Sequence, residues 1–185
     1  MKRRCVPSAA LTAAVVSVLM IFPMMARAEE GPVVFSVGNV DLLGPGPHYL
    51  DLGIGVFDVF ERKSDSKRSA AARAEFRLGD KLYGLGPAVG AVANTDRGAY
   101  GYVGLYADFK YRNLVVTPLA GLGAYHQANS SDLGGVFQFR LALGITYQFE
   151  DQSRLGITLG HISNAQIHDE NPGEDEVYVS FALPF

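Results

Sequence analysis

From residue 49 onward, apolar and polar positions alternate with a period of two, stretch after stretch. Tyr49 to Phe60 carries Leu50, Leu52, Ile54, Val56 and Phe60 on one parity, against Asp51, Gly53 and Gly55 on the other. Between Ser69 and Leu78, the residues Ala70, Ala72, Ala74, Phe76 and Leu78 oppose Arg73, Glu75 and Arg77. Between Ala99 and Tyr111, the residues Val103, Leu105, Ala107 and Phe109 oppose Tyr100, Tyr102, Tyr106, Asp108 and Lys110. The cleanest run sets Phe137, Phe139, Leu141, Leu143, Ile145, Tyr147 and Phe149 against Gln138, Arg140, Thr146 and Gln148. Successive side chains of a strand point to opposite faces, so each stretch reads as a strand with one apolar and one polar face. Eight strands are predicted, over residues 49–60, 69–78, 82–93, 99–111, 114–126, 134–149, 154–163 and 175–185.

The apolar faces run for about the 9–11 residues that a tilted transmembrane strand needs. The opposite faces hold Tyr, Arg, Glu, Gln and small residues, which can pair with one another in a narrow interior but would be costly in a sandwich core. The connections alternate in length, a separate signal. Residues 79–81, 112–113 and 150–153 are tight, whereas 61–66, 94–98, 127–133 and 164–174 are longer and polar. Short periplasmic turns and long external loops mark bacterial outer-membrane barrels. The predicted fold is therefore an all-β, eight-stranded antiparallel transmembrane β-barrel. Its last strand ends Val177, Val179, Phe181, Leu183, Phe185 on one parity, resembling the aromatic terminal signal of outer-membrane barrel assembly.

The first 28 residues do not share this pattern. Lys2, Arg3 and Arg4 precede an apolar run from Ala9 to Met25, and Ala26-Arg27-Ala28 follows. This is a secretory signal with cleavage expected before Glu29. Residues 29–48, with Pro45, Gly46 and Pro47, read as a lead-in to the barrel at 49–185, with a further short strand open at 33–39. Removing residues 1–28 takes away four of the 16 basic residues and the single cysteine, leaving 12 basic against 19 acidic, a net charge of -7. No basic field for nucleic acid and no disulfide framework remain. Excess Gly (21) and Tyr (9) suits a barrel with a narrow interior and interfacial rings.

One strand breaks the rule that its outer face is apolar. Leu155, Ile157, Leu159, His161 and Ser163 share a parity, so the last two continue a lipid-facing stripe. Their plain explanation is a position at headgroup level, where polar residues are free. A sharper one follows from geometry. Residues two apart on a strand lie roughly 6.5–7 Å apart on one face, within reach for imidazole and hydroxyl. A His can then act as general base toward a Ser nucleophile, with a carboxylate orienting the ring. Asp175 shares parity with Val177 and Val179 and faces outward on the next strand, whereas Glu174 and Glu176 should face inward.

Here the chain resembles the PagL-type lipid A 3-O-deacylases of Gram-negative outer membranes. The resemblance rests on Gly160-His161-Ile162-Ser163-Asn164-Ala165, then Asn171-Pro172-Gly173 and the acidic Asp175, and extends more loosely over the barrel. It implies His161 as general base, Ser163 as nucleophile, Asp175 as orienting acid and Asn164 as a group holding the oxyanion. The best-known pattern has Glu as the acid, so Glu176 is the alternative to Asp175. It further implies hydrolysis of an ester-linked acyl chain of lipid A, the 3-position being known only from the resemblance. Lipopolysaccharide would be the substrate partner, the outer membrane the location, and no cofactor would be needed; a homodimer is left open.

The other histidines are weaker candidates. His48 sits in the lead-in, His126 ends a strand, and His168 lies in an external loop. A metal site from His161, His168 and Asp169 matches no standard ligand spacing. Asp132, Asp169 and Glu170 offer carboxylates for ions bridging lipopolysaccharide phosphates, but such loop acids are more often simply solvated. Gly84-Leu85-Gly86 and Gly121-Leu122-Gly123 lie within predicted strands and lack the following helix of a nucleotide loop. Competing readings are a non-enzymatic structural or adhesion barrel and a soluble secreted ligand-binding barrel.

Overall fold

The computed structural model describes residues 31–60 and 68–185. The predicted secretory segment and the external loop at 61–66 lie outside the described residues. Within them the strands are β1 (Val33–Val37), β2 (Val40–Leu43), β3 (Tyr49–Phe57), β4 (Ser69–Arg77), β5 (Leu85–Asn94), β6 (Ala99–Ala107), β7 (Phe109–Tyr111), β8 (Leu114–His126), β9 (Phe137–Gln148), β10 (Arg154–Ser163) and β11 (Glu174–Pro184).

Eight of these close a barrel in which every pairing is antiparallel. Each of β3, β4, β5, β6, β8, β9, β10 and β11 pairs with the next, and β11 returns to β3. The predicted strand at 99–111 is interrupted at Asp108, but β7 keeps the register of β6 against β8: Tyr106 faces Leu119 and Phe109 faces Val116. Closure leaves these strands without a free edge, which removes the usual route to edge-to-edge association.

The faces are inverted relative to a water-soluble protein. Tyr100, Tyr102, Arg73, Glu75, Arg77 and Arg140 are buried inside, whereas Val103, Leu105, Leu141 and Ile157 are exposed outside. Many of the inner charges pair with one another. Arg73 and Arg77 each meet Asp51 at 2.7 Å, and both also meet Glu75, which accepts a 2.5 Å hydrogen bond from the Tyr102 hydroxyl. Lower down, Asp108 takes Lys81 at 2.7 Å, Arg154 at 2.9 Å and the Thr117 hydroxyl at 2.6 Å. Eight strands leave an interior just wide enough for side chains, and here they fill it.

The segment read as a lead-in carries more structure than the sequence suggested. β1 and β2 form a hairpin about Gly38 and Asn39, with Gly38 at φ 62°, the positive angle that such a two-residue turn requires. β2 then pairs with β7, placing the hairpin at the end of the barrel that carries the tight turns. The chain enters β3 through His48, whose N–H donates to the carbonyl of Phe185 while the Phe185 N–H donates back. The His48 ring packs against both Phe76 and Phe185, which also touch each other, and accepts the Gly79 N–H at Nδ1. His48 thus fastens the carboxyl terminus to the barrel.

Candidate active site

At the opposite end, β10 and β11 run side by side with His161 directly across from Asp175. Parity turns both side chains outward, and the His161 Nδ1 lies 2.9 Å from Asp175 Oδ1. Their side chains are 37% and 19% exposed, so the pair sits in the outer wall, partly sheltered but accessible from the side. With Nδ1 donating to the carboxylate, Nε2 is the ring nitrogen left to accept a proton. Ser163, the last residue of β10, is half-buried on the same face and pairs with Phe139 of β9. The structure brings His161 and Asp175 into contact; among the described residues the imidazole makes no hydrogen bond to the Ser163 hydroxyl.

The two neighbouring acids are elsewhere. Glu176 is fully buried inside, against Arg140 and accepting from the Tyr178 hydroxyl at 2.6 Å. Glu174 is also interior and accepts the Asp58 N–H at 3.0 Å. The alternation that turns Asp175 out turns these two in.

Asn164 is buried just beyond Ser163. Its amide donates to the carbonyls of Leu133 at 3.0 Å and Glu170 at 2.7 Å, and its Oδ1 accepts the Gln166 N–H. Its own N–H donates to Asn171 Oδ1 at 3.0 Å. The side chain therefore organises the β8–β9 and β10–β11 loops behind Ser163.

Three contributors were not evident from the sequence. A Cβ on Gly173, at φ 62°, would stand 3.0 Å from His161 Cε1 and 3.4 Å from Nε2, so this glycine leaves room beside the imidazole. A Cβ on Gly160 would strike the Glu176 carboxylate, so Gly160 makes space for the interior acid just beneath His161. Asp58 sits behind Asp175: its carboxylate accepts the Ser131 hydroxyl at 2.6 Å, and the Val59 N–H donates to the Asp175 carbonyl at 2.9 Å. Gly160 and Gly173 stand in the two motif segments of the sequence, but their packing roles do not show there. Asp58 is separated from its partners by 73 and 116 residues, and no local pattern marks it.

Of the remaining candidates, His168 packs over Gly135 and lines an external cavity of about 670 Å³ with Asp132, Asp169 and Glu170. Among the described residues no group of three or more His, Cys, Asp or Glu side chains is arranged to hold a metal ion.

A closed eight-stranded barrel, apolar outside and charged within, with a His–Asp pair on its outer wall, defines a barrel of the outer-membrane type carrying a laterally facing polar site. Comparison narrows the class. The family described as "Lipid A 3-O-deacylase (PagL)" matches residues 60–184, and the chain belongs to that family. The lipid A deacylase PagL of Bordetella bronchiseptica (strain ATCC BAA-588 / NCTC 13252 / RB50) is 33% identical over 70 residues, which cover 36% of this chain. The chain spans 39% of the length of that curated relative. Among solved structures, the crystal structure of the outer membrane enzyme PagL is similar in fold, with a TM-score of 0.53 and 14% identity, covering 74% of this chain and 99% of that one.

Proposed function

We propose that this protein is an outer-membrane serine esterase that removes an ester-linked acyl chain, at the 3-position by family likeness, from lipid A. The observation that carries the reading is the His161–Asp175 hydrogen bond on the apolar outer wall, with Ser163 two residues along the same face. A sideways-facing site of this kind serves a substrate that never leaves the membrane.

In this mechanism Ser163 Oγ attacks the ester carbonyl while His161 Nε2 takes its proton. Asp175 holds the ring in the required tautomer and stabilises the imidazolium that forms. Collapse of the tetrahedral intermediate breaks the ester bond, and the departing sugar hydroxyl receives the proton from His161. Water, deprotonated by the same imidazole, then attacks the acyl-enzyme and releases the fatty acid. Family likeness gives Asn164 the role of oxyanion donor, which requires its buried amide to release one of its two loop-carbonyl bonds. No step needs a cofactor. Leu159 and Val177 below the pair, with Leu141 and Phe139 beside it, give the acyl chain an apolar surface.

The test is incubation of detergent-refolded protein with lipopolysaccharide, followed by mass spectrometry of lipid A. The expected product has lost one hydroxyacyl chain, and Ser163→Ala should lower the rate by about 10⁴-fold or more. Unchanged lipid A with demonstrably folded protein would favour a structural barrel instead.

A further inference from the structure

One side of the β1–β2 hairpin follows the barrel's own chemical rule although the hairpin is not one of the eight closing strands. Directly paired residues share a face, so the pairings of Phe35 with Leu42 and of Leu42 with Phe109 put all three on one side. Phe109 keeps the parity of Val103 and Leu105, the outer face of β6. Val37 and Val40, paired across the turn, fall on that same outer side. The opposite side carries Ser36, Asp41 and Lys110, with the Ser36 hydroxyl donating to Asp41, and beside them the apolar pair Val33 and Leu43, of which Leu43 is buried. The hairpin is thus apolar on its outward side and mixed on its inward side, and the outward side continues the wall.

Leu42 on this outward face is buried over Gly84, but the rest is open: Phe35 is 51% exposed and Val37 70%. Leu82, Tyr83 and Tyr111 are exposed nearby at the same end of the barrel. The hairpin is also firmly placed. Leu42 packs over Gly84, the Leu43 N–H donates to the carbonyl of Asp108, and the Gly46 N–H donates to that of Gly79. An apolar surface with aromatics beside it, held rigidly at the end of a lipid-facing belt, has the composition of a membrane-interface element.

We infer that the outer face of the β1–β2 hairpin rests in the periplasmic leaflet, its Phe35, Val37 and Val40 inserted at the boundary between lipid headgroups and acyl chains. The occupant is a phospholipid surface, because Phe35, Val37 and Val40 continue the outer face of β6 and β7 without a change of parity. This inference rests on the outer-membrane reading of the barrel.

The chain contains no tryptophan, so a single introduced Trp reports on one position alone. Three variants refolded into phosphatidylcholine vesicles test the inference: Phe35→Trp on the outer face, Ser36→Trp on the inner face, and Val103→Trp in the barrel belt. Val37→Trp replaces Phe35→Trp should the latter fail to fold. The expected result is blue-shifted emission from Trp at 35, quenched by lipids brominated near the top of the acyl chain and shielded from iodide. Trp at 36 should behave oppositely. Water-like emission and iodide quenching at 35, with lipid quenching at 103, would overturn the hairpin's role while leaving the barrel's. Loss of lipid quenching at 103 itself would overturn the membrane reading on which both depend.

Discussion

His161 and Asp175 meet because a two-residue period and an antiparallel register agree: one turns both side chains outward, the other sets them opposite. The same period carries Glu174 and Glu176 into the barrel, so the choice among three consecutive acids is made by alternation. Asp175→Ala should therefore lower the turnover rate by about 10²–10⁴-fold, within the range for removing the orienting acid of a triad. Glu176→Ala should instead leave Arg140 buried without its partner, appearing first as a loss of folded protein. Steady-state kinetics beside unfolding curves separate the two. Gly173 makes a narrower point. Alanine there must adopt a positive φ and crowd the imidazole at Cε1, and Gly173→Ala should reduce the rate about tenfold or more with the barrel intact, checked by the same assay. Parity made the outward turn of Asp175 beside His161 legible in the sequence; the clearance around Nε2 was not, because it depends on how a loop returns over a ring.

At the scale of elements, the site is held from behind by three connections. Ser131 of the β8–β9 loop bonds Asp58 at the end of β3, Asp58 bonds Glu174 at the start of β11, and Asn164 bonds Leu133 in the same β8–β9 loop. The strand ends bearing Ser163 and Asp175 are thereby tied to one loop through the barrel mouth. Ser131→Ala removes a buried donor and should destabilise the protein by about 1–3 kcal/mol. Faster amide hydrogen exchange at 58–60 and 127–136 than in the barrel strands would show where the loss falls. The strand positions were largely legible: 114–126 and 154–163 coincide with β8 and β10. The hairpin at 33–43 was only half seen, because its exposed faces lack a clean alternation and its partner β7 lies some 70 residues away.

Across the whole molecule, the described interior sets clusters of buried ion pairs among buried rings, including Phe57, Tyr100, Tyr102, Tyr125 and Tyr178. Asp51, Arg73, Glu75 and Arg77 form one cluster, and Lys81, Asp108 and Arg154 another. Arg140 lies beneath the Tyr102 ring, and Arg154 against that of Tyr49. Such networks are costly to break on one side only, so Glu75→Ala should destabilise the barrel by about 3–5 kcal/mol, read from urea unfolding in vesicles. A filled interior also means that the protein should pass no measurable ion current in planar bilayers.

The sequence by itself determined the barrel, its strand count, its inside-out polarity and the outward parity of His161, Ser163 and Asp175. These follow from a period of two, which is local and survives in a linear text. The tertiary structure alone decided which residues fill the space around them: Gly173 beside the ring, Gly160 above Glu176, Asp58 behind Asp175, Asn164 between two loops, and β2 on β7. Each of these is a meeting of segments far apart in the chain, where closure of the barrel and the path of its loops, not any local pattern, choose the neighbour.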